Sequence, residues 1–388
     1  MDIKEEILQE YKYTVNNRKI LHQIPEIGWS EYETTKFIRS ELDKLNISYT
    51  LPLKTGVVAE ICGKYPGKTL GIRADIDALP IQEKVKSKYC SQNNGKMHAC
   101  GHDGHAAALI TCAKILSKHK DQINGKIKLI FQPSEEYLPS GAEALFNTNS
   151  LNDCDSIIAI HLRSDILTGK ISIEGGPRMA ASAGIDIHLT GKNCHAATPH
   201  KGIDSTIAGA ALIMNLQTIV SREISSEDSV VISIGKFESG TEKNIISGDA
   251  HLLGTIRYYS SDLFNEIRKS IIRICKGIAI TYRVKAKVEI KEACSEVVNN
   301  EALVKIGQKG VKKIFGEDVL ISYPKSSLNE DFSNYAKICP ILYILVGSGW
   351  EDERKNYPHH NEKFQINDES LIYAVGAFVS FALEYLKL

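Results

Sequence analysis

Three continuous apolar runs constrain the fold of this chain more than any other feature. They are KIKLIFQ at 126–132, SIIAIHL at 156–162 and PILYILVG at 340–347. Runs of this length without polar alternation are typical of strands that are buried on both faces of a sheet. Segments with helical spacing, such as 102–117, lie between them. Alternating helices and buried strands predict an α/β fold with a mixed or parallel sheet.

The pattern changes near Arg178. GIDIHLTG at 184–191 alternates apolar and polar residues, which is typical of a half-exposed strand. A helix, two strands, a second helix and a last strand follow, and this β-α-β-β-α-β order is the ferredoxin-like pattern. We therefore predict two domains, an α/β domain formed by 1–181 and 294–388 and an inserted ferredoxin-like α+β domain at 182–293. The edge strands of the inserted domain would be free to pair with a second copy of the chain.

The composition argues against several classes of protein. The 388 residues carry 47 basic and 47 acidic side chains, whereas nucleic-acid and membrane-surface partners select for a basic excess. No apolar run reaches the ~18 residues of a membrane helix, and the first residues lack the apolar core of a secretory signal. Nine scattered cysteines without a CxxC pair predict reduced thiols and a cytoplasmic location.

The segment MHACGHDGHAA at 97–107 places metal-binding side chains close together. His98, Cys100, His102, Asp103 and His105 fall within eight residues, directly before an apolar helix. Thiolate, imidazole and carboxylate groups are the ligands of zinc-like cations. A single histidine would more often be an ordinary core or surface residue. The cluster is therefore stronger evidence for a metal site than any one of its residues would be alone.

Further polar residues lie at predicted strand ends. FQPSEE at 131–136 places Glu135 and Glu136 after a buried strand, where open α/β sheets carry their active sites. Adjacent residues on extended backbone point in opposite directions, so one carboxylate could bind metal while its neighbour faces a substrate. Each of the remaining polar segments, taken alone, is also compatible with a solvated loop or an ordinary core histidine. Only their combination favours a single metal site. These segments contain Asp75 and Asp77, His161, and His359 and His360.

In this order, the segments resemble the M20 family of metallopeptidases, and within it the aminoacylases, hippurate hydrolases and auxin-conjugate hydrolases. The matching segments cover nearly the whole chain. They are HQIPEIGWSEYETT at 22–35, GIRADIDALP at 71–80, MHACGHDGHAA, FQPSEE, the HL at 161–162, GPRMAASAGIDIHLTGKNCHAATPH at 176–200, GTIRYY at 254–259, NEDFSNYA at 329–336 and HNEKF at 360–364.

The resemblance implies a catalytic α/β domain that holds two divalent ions, zinc or manganese first with cobalt and nickel as alternatives, and an inserted dimerisation or lid domain. It implies that Cys100 bridges the two ions and that Glu135 is the general base. The other implied ligands are His102, Glu136, His161 and His360. Asp77 resembles the family's supporting carboxylate. In the inserted domain, His195 resembles the histidine that reaches a substrate oxygen in the site of a partner subunit, and Asn244 and Arg257 resemble its substrate-binding groups.

The activity that the resemblance implies is hydrolysis of the amide bond of small N-acyl amino acids by a homodimer or larger homo-oligomer. A dipeptidase or carboxypeptidase activity on short peptides stays open, as does a metal-binding protein without catalysis. The acyl group and the amino acid are not specified by the sequence. Two positions depart from the family pattern: Cys194 stands where glycine is common, and Glu362 stands where proline is found.

Overall fold

The computed structural model describes residues 2–387, and the chain divides into two compact units. Unit 1 comprises Met1–Arg178, Val298–Pro324 and Asp331–Leu388, and unit 2 comprises Met179–Val297 and Lys325–Glu330. In the described part of the chain, no helix is both long enough and apolar enough to span a membrane.

The helices are α1 (Ile3–Gln23), α2 (Tyr32–Lys44), α3 (His102–Lys118), α4 (Gly141–Asn147), α5 (Ser205–Thr218), α6 (Ser261–Tyr282), α7 (Glu301–Phe315) and α8 (Ser370–Tyr385). The strands are β1 (Ser48–Thr50), β2 (Val57–Cys62), β3 (Tyr65–Asp75), β4 (Asn124–Gln132), β5 (Ser156–Leu167), β6 (Ile171–Ser172), β7 (Gly176–Met179), β8 (Ala181–Thr190), β9 (Cys194–His195), β10 (Val231–Ser239), β11 (Ile245–Ile246), β12 (Asp249–Tyr258), β13 (Lys285–Cys294), β14 (Val297–Asn299) and β15 (Ile341–Gly349). Short 3-10 turns occupy Lys120–Gln122, Pro199–Lys201, Glu317–Val319, Asp331–Lys337 and Glu353–Lys355, and a π-helical turn covers Ile219–Glu223.

Unit 1 is built on a seven-stranded sheet in the order β1-β2-β4-β3-β5-β15-β6. Its central neighbours β4, β3, β5 and β15 run parallel, whereas the outer pairs are antiparallel, so the predicted mixed α/β sheet is confirmed. Every residue of β15 is buried, as expected for its continuous apolar run.

Helix α3 runs through the core of unit 1. Its first 12 residues are buried, which fits a sequence that is apolar on nearly every side after the first turn. Gly104 allows the start of this helix to approach β5 closely, because a Cβ at that position would lie 2.6 Å from Leu162 Cδ1. The first turn of α3, with His102, is thereby placed against the part of β5 that carries His161.

Unit 2 contains a four-stranded antiparallel sheet in the order β10-β12-β8-β13. This is the strand order of a ferredoxin-like β-α-β-β-α-β unit. Alternate residues of β8 and β12 are buried, and they pack with the apolar stripe of α6 and with α5 in one core. The opposite face of the sheet carries polar side chains, and β10 and β13 are its edges.

Candidate functional site

The candidate site of unit 1 lies where parallel strands end. β3 ends at Asp75 and β4 ends at Gln132, three residues before Glu135. Because the carboxyl ends of parallel strands meet at one edge of a sheet, residues that are distant in sequence come together there. The first turn of α3 and the loop that carries His360 complete the same edge, since the His360 N–H donates to the Ala99 oxygen.

His102 is held in a single tautomer by Asp77. Its Nδ1 lies 2.9 Å from the main-chain oxygen and 3.2 Å from Oδ1 of Asp77. Because both atoms accept, Nδ1 carries a proton, which leaves Nε2 as the ring atom that can bind a metal. Nε2 is buried without a hydrogen bond among residues 2–387 and lies 3.7 Å from Oδ2 of Asp75. Burial disfavours a second proton on His102, but the nearby Asp75 and Cys100 hold its pKa well above its usual value, so a metal ion would displace that proton from Nε2.

His161 has the matching arrangement. Its Nδ1 lies 2.8 Å from the main-chain oxygen of Leu162, which can only accept, so its Nε2 keeps the lone pair. That Nε2 lies 3.5 Å from Sγ of Cys100. Burial holds the pKa of His161 well below its usual value, and it is a neutral imidazole. A neutral imidazole whose other nitrogen donates to a carbonyl is the usual form of a metal-binding histidine.

Glu136 and His360 form a second pair on the other side of Cys100. His360 Nε2 lies 2.9 Å from Oε1 of Glu136. Hydrogen bonding to Cys100 and Glu136 raises the pKa of His360 to about 10. The Glu136 N–H donates to Oδ2 of Asp77 over 3.0 Å, so Asp77 orients residues in both groups.

Potential ligand atoms converge in three overlapping groups. In each group the atoms lie within 4.8 Å of one another, and the groups are Cys100–His102–His161, Cys100–Glu136–His360 and His102–Glu135–Glu136. Cys100 belongs to two of them, and its partly buried thiol has a pKa raised by burial and by Glu136. The half-buried Glu135 therefore lies beside the ligand atoms. The seven site residues predicted in the α/β part of the sequence are thus brought together, since Asp77 contacts both His102 and Glu136.

A further group, Asp75–His102–His105, has a different character. The Leu162 N–H donates to Nε2 of His105 over 2.9 Å, so Nδ1 of this ring carries the proton that binds Oδ1 of Asp75 at 2.5 Å. Asp75 also accepts from Arg73 over 2.7 Å. Against the effect of burial, Arg73 and the two histidines hold the pKa of Asp75 well below its usual range. His105 therefore has no lone pair left for a metal ion, and its contacts link the end of β3 to β5.

Two buried arginines form ion pairs with aspartates close to the site residues. Arg73 donates to Asp331 over 3.0 Å, and Asp331 also accepts from Ser140 and from the first turn of α4. Arg18 donates to Asp103 over 2.8 Å, and His22 lies 2.8 Å from the same Oδ2. Burial would raise the pKa of Asp103, but Arg18 and His22 hold it well below its usual range.

Glu31 is a supporting residue that sequence reasoning did not identify. It is fully buried, and it accepts from the Ser134 N–H and the Thr55 hydroxyl, both over 2.8 Å. Burial and the nearby Asp77 raise the pKa of Glu31 to about 7. The residue anchors the loop that presents Glu135. Sequence reasoning also did not identify Arg18, Arg73 and Asp331 as supporting residues. For Arg73, a charged residue inside an apolar strand segment could have indicated a buried ion pair.

His359 also faces the site. Its Nδ1 lies 3.6 Å from Sγ of Cys100, and burial lowers its pKa to about 3. Glu362 of the same loop, which departs from the family pattern, contacts Lys84 through a 2.8 Å ion pair and a main-chain hydrogen bond. These contacts restrain the loop in place of the rigid proline.

The remaining predicted site residues belong to unit 2. His195 in β9 is exposed, and its Nδ1 accepts from the Ala197 N–H over 3.1 Å, so the ring proton lies on Nε2. Asn244 lies beside it, because the Asn244 oxygen accepts from the Ala196 N–H. Arg257 lies on β12 and is half-buried. The Cys194 thiol lies 3.5 Å from the Thr198 oxygen and closes the turn that follows His195.

Comparison with known proteins gives the family. The model of peptidase family M20/M25/M40 matches residues 71–384. The chain belongs to this family. It is 35% identical over 364 residues to the N-acetyl-L-cysteine deacetylase of Bacillus subtilis strain 168, covering 94% of this chain and 86% of the relative. It is also 35% identical over 383 residues to the IAA-amino acid hydrolase ILR1-like 2 of Arabidopsis thaliana, covering 97% of this chain and 86% of the relative. The predicted family membership is confirmed.

A solved M20 structure has the same fold. The Bacillus subtilis YXEP protein, described as a dinuclear metal-binding peptidase of the M20 family, superposes with a TM-score of 0.87 at 30% identity. The match covers 97% of this chain and 98% of the YXEP chain.

Proposed function

We propose that this M20 protein hydrolyses the amide bond of N-acyl amino acids and releases a free amino acid and a carboxylic acid. The observation that carries the proposal is a carboxylate, Glu135, placed beside a cluster of thiol, imidazole and carboxylate ligand atoms. The deacetylase and the IAA-amino acid hydrolase named above act on acylated amino acids, which supports the same substrate class for this chain.

The ligand set fits two divalent ions. Cys100 belongs to both the group with His102 and His161 and the group with Glu136 and His360, so its thiolate would bridge the ions. The Nδ1 hydrogen bonds of His102 and His161 leave Nε2 as the ligand atom of each ring, as ligation requires. Thiolate and imidazole ligands favour zinc thermodynamically, while the glutamate also suits manganese. We therefore propose zinc or manganese as the native metal, with cobalt and nickel as alternatives.

Divalent ions held by these residues would supply Lewis acidity and lower the pKa of water from ~15.7 toward ~7. Glu135 accepts the proton of the attacking water and later delivers it to the nitrogen of the leaving amine. The rigid contacts of Asp77 hold His102 and the Glu136 main chain in place during both steps.

Unit 2 would supply the groups that recognise the substrate. The Nε2–H of His195 is a donor suited to the oxyanion that develops on the acyl carbonyl. A guanidinium binds carboxylate in a bidentate manner, so Arg257, together with Asn244, is our candidate for the carboxylate of the amino acid.

We propose that the protein works as a homodimer or a larger homo-oligomer joined through unit 2. Helix α5 exposes Ile207 and Met214, with 54% and 71% of their surface accessible. The neighbouring strand β10 is an edge that exposes Val231. An apolar helix face beside an unpaired edge strand is suited to pairing with a second copy.

His195 would then act in the site of the second copy. Mixing Glu135→Gln and His195→Ala chains tests this, since one site of a mixed dimer regains both groups. Restored activity on subunit exchange is the expected result. Mixed chains that stay as inactive as either parent would contradict action between subunits.

An assay of metal-loaded protein tests the activity itself. The acetyl, benzoyl and aminoacyl derivatives of one amino acid should be compared, followed by a panel of amino acids. The Glu135→Gln variant should keep both ions and lose turnover by about 100- to 10,000-fold. Unchanged turnover in this variant would exclude Glu135 as the base.

Hydrolysis of short peptides is the alternative function. The YXEP relative is described as a peptidase, and a peptide bond presents the same amide to the same groups. A preference for aminoacyl over acetyl and benzoyl derivatives would favour a dipeptidase or carboxypeptidase.

We also propose a cytoplasmic location, which is supported by nine cysteines that are all free.

A further inference from the structure

Two histidines and one aspartate meet on the polar face of the unit 2 sheet, within a single unit and apart from the groups assigned above. Asp186 and His188 are two residues apart on β8 and point to the same face. His251 on β12 is the direct cross-strand partner of His188. All three side chains are therefore held by strands in the middle of the sheet.

The ligand atoms of these three residues converge. Oδ1 of Asp186 lies 2.9 Å from Nε2 of His251 and 3.3 Å from Nε2 of His188. All three atoms lie within 4.8 Å of one another. Two ligands at ~2.0–2.1 Å from a tetrahedral zinc ion are about 3.3 Å apart, so these separations are close to those of a bound ion.

We propose that Asp186, His188 and His251 form an additional site for a divalent transition-metal ion of the zinc class. Two imidazoles and one carboxylate are a ligand set that such ions accept, and exposure of the three groups leaves the remaining coordination positions to water. Each ring would bind the ion through the lone pair of Nε2 as a neutral imidazole whose proton is on Nδ1.

The imidazole rings have to move slightly for both nitrogens to reach one ion. They are stacked, with centroids 3.9 Å apart and planes inclined by 14°. Parallel rings direct their lone pairs side by side, so binding requires the rings to open into a wedge. The exposed fractions are 47% for His188 and 24% for His251, which leaves room for this rotation.

The neighbouring acids on the same face are paired with lysines, Glu238 with Lys236 and Glu289 with Lys291, so a cation has to compete with these ion pairs. Glu238 on β10 is the cross-strand partner of His251, and Glu289 on β13 is the partner of Asp186. Glu238 is paired with Lys236 over 2.8 Å, and Lys287 is the partner of His188. Glu238 could therefore become a fourth ligand by exchanging Lys236 for the ion, while Lys287 limits the affinity.

Zinc content of the full-length protein tests the proposal. Wild-type protein and the His188→Gln/His251→Gln variant are dialysed against the same buffered Zn²⁺, and bound zinc per chain is measured by mass spectrometry. The double variant should contain one equivalent less than wild type, and Asp186→Asn should show the same loss. His200→Gln is the matched control, because His200 is an exposed histidine of unit 2 outside the cluster and its loss should change nothing.

Circular dichroism of each variant checks that the chain is folded, which we expect because none of the substituted side chains is fully buried. The comparison depends on a difference of one equivalent and not on the total, so it is independent of the ions proposed for unit 1. Equal zinc content in wild type, the double variant and Asp186→Asn would overturn the proposal and leave the cluster as a cross-strand ion pair.

Discussion

Asp77 contacts Nδ1 of His102 through two oxygens, its main-chain oxygen at 2.9 Å and Oδ1 at 3.2 Å. The same carboxylate accepts the Glu136 N–H through Oδ2. One residue thus fixes the tautomer of one proposed metal ligand and the backbone of another. Its effect on the site should therefore exceed that of an ordinary buried carboxylate.

The first prediction concerns this carboxylate. Asp77→Ala should weaken metal binding by about 10- to 100-fold, the usual effect of removing a group that orients a ligand. Metal content measured against buffered free metal gives the value. Asp77→Asn keeps the volume and one oxygen and should lose less. Metal affinity unchanged in Asp77→Ala would show that the main-chain contact alone suffices.

Cys100 should be indispensable for both ions. Cys100→Ser replaces a soft thiolate with a hydroxyl that is a far weaker ligand, so metal and activity should be lost together. Metal analysis and an amidase assay on the same sample check this. Cys62→Ser is the control, since Cys62 is an exposed thiol on β2. Two bound ions and wild-type turnover in Cys100→Ser would refute the bridging role.

The apolar face of α5 should control assembly. Ile207→Glu/Met214→Glu places two charges on the surface that we assign to the dimer, and the variant should be monomeric by light scattering. Ile280→Glu is a matched control, because Ile280 is 81% exposed on α6, which packs toward β13 at the opposite sheet edge. An unchanged oligomer in the α5 variant would place the interface elsewhere.

Acid stability should depend in part on Glu384 of α8. Burial would raise its pKa, but hydrogen bonds from Lys313, Lys387 and Lys309 lower it from 4.5 to about 2. A depressed pKa in the folded state means that the ionised group stabilises the fold above pH 4.5, and that this contribution is lost as the pH falls toward 2.

Glu384→Gln should therefore lower the free energy of unfolding by about 1 kcal/mol near neutral pH, a value reduced by the solvent exposure of the lysines. Urea unfolding at several pH values measures this difference, which should shrink between pH 4.5 and 2. Added salt should shrink it as well, because salt screens the lysines. A difference that is independent of pH would mean that the ion pairs do not stabilise the fold.

The elements of the fold were predictable where the sequence pattern is strong. The apolar runs that contain Leu129, Ile158 and Ile344 form buried strands, because a strand covered on both faces tolerates few polar residues. The alternating pattern around Ile187 gives a half-exposed strand, because only one face of this strand is covered. The strand order could not be predicted from the sequence, since β15 lies beside β5 although the paired residues Ile157 and Ile341 are far apart along the chain.

For the site, the chain itself determines the residue types: the cluster around Cys100, the Glu135–Glu136 pair and the adjacent histidines 359 and 360 are visible as motifs. Only the tertiary structure decides which nitrogen of His102 and His161 is free, that Glu31 anchors the Ser134 turn, and that Asp186 meets His251 across two strands. The reason is physical. A motif fixes which groups are present along the backbone, whereas the direction of a lone pair depends on hydrogen-bond partners brought from distant segments by packing.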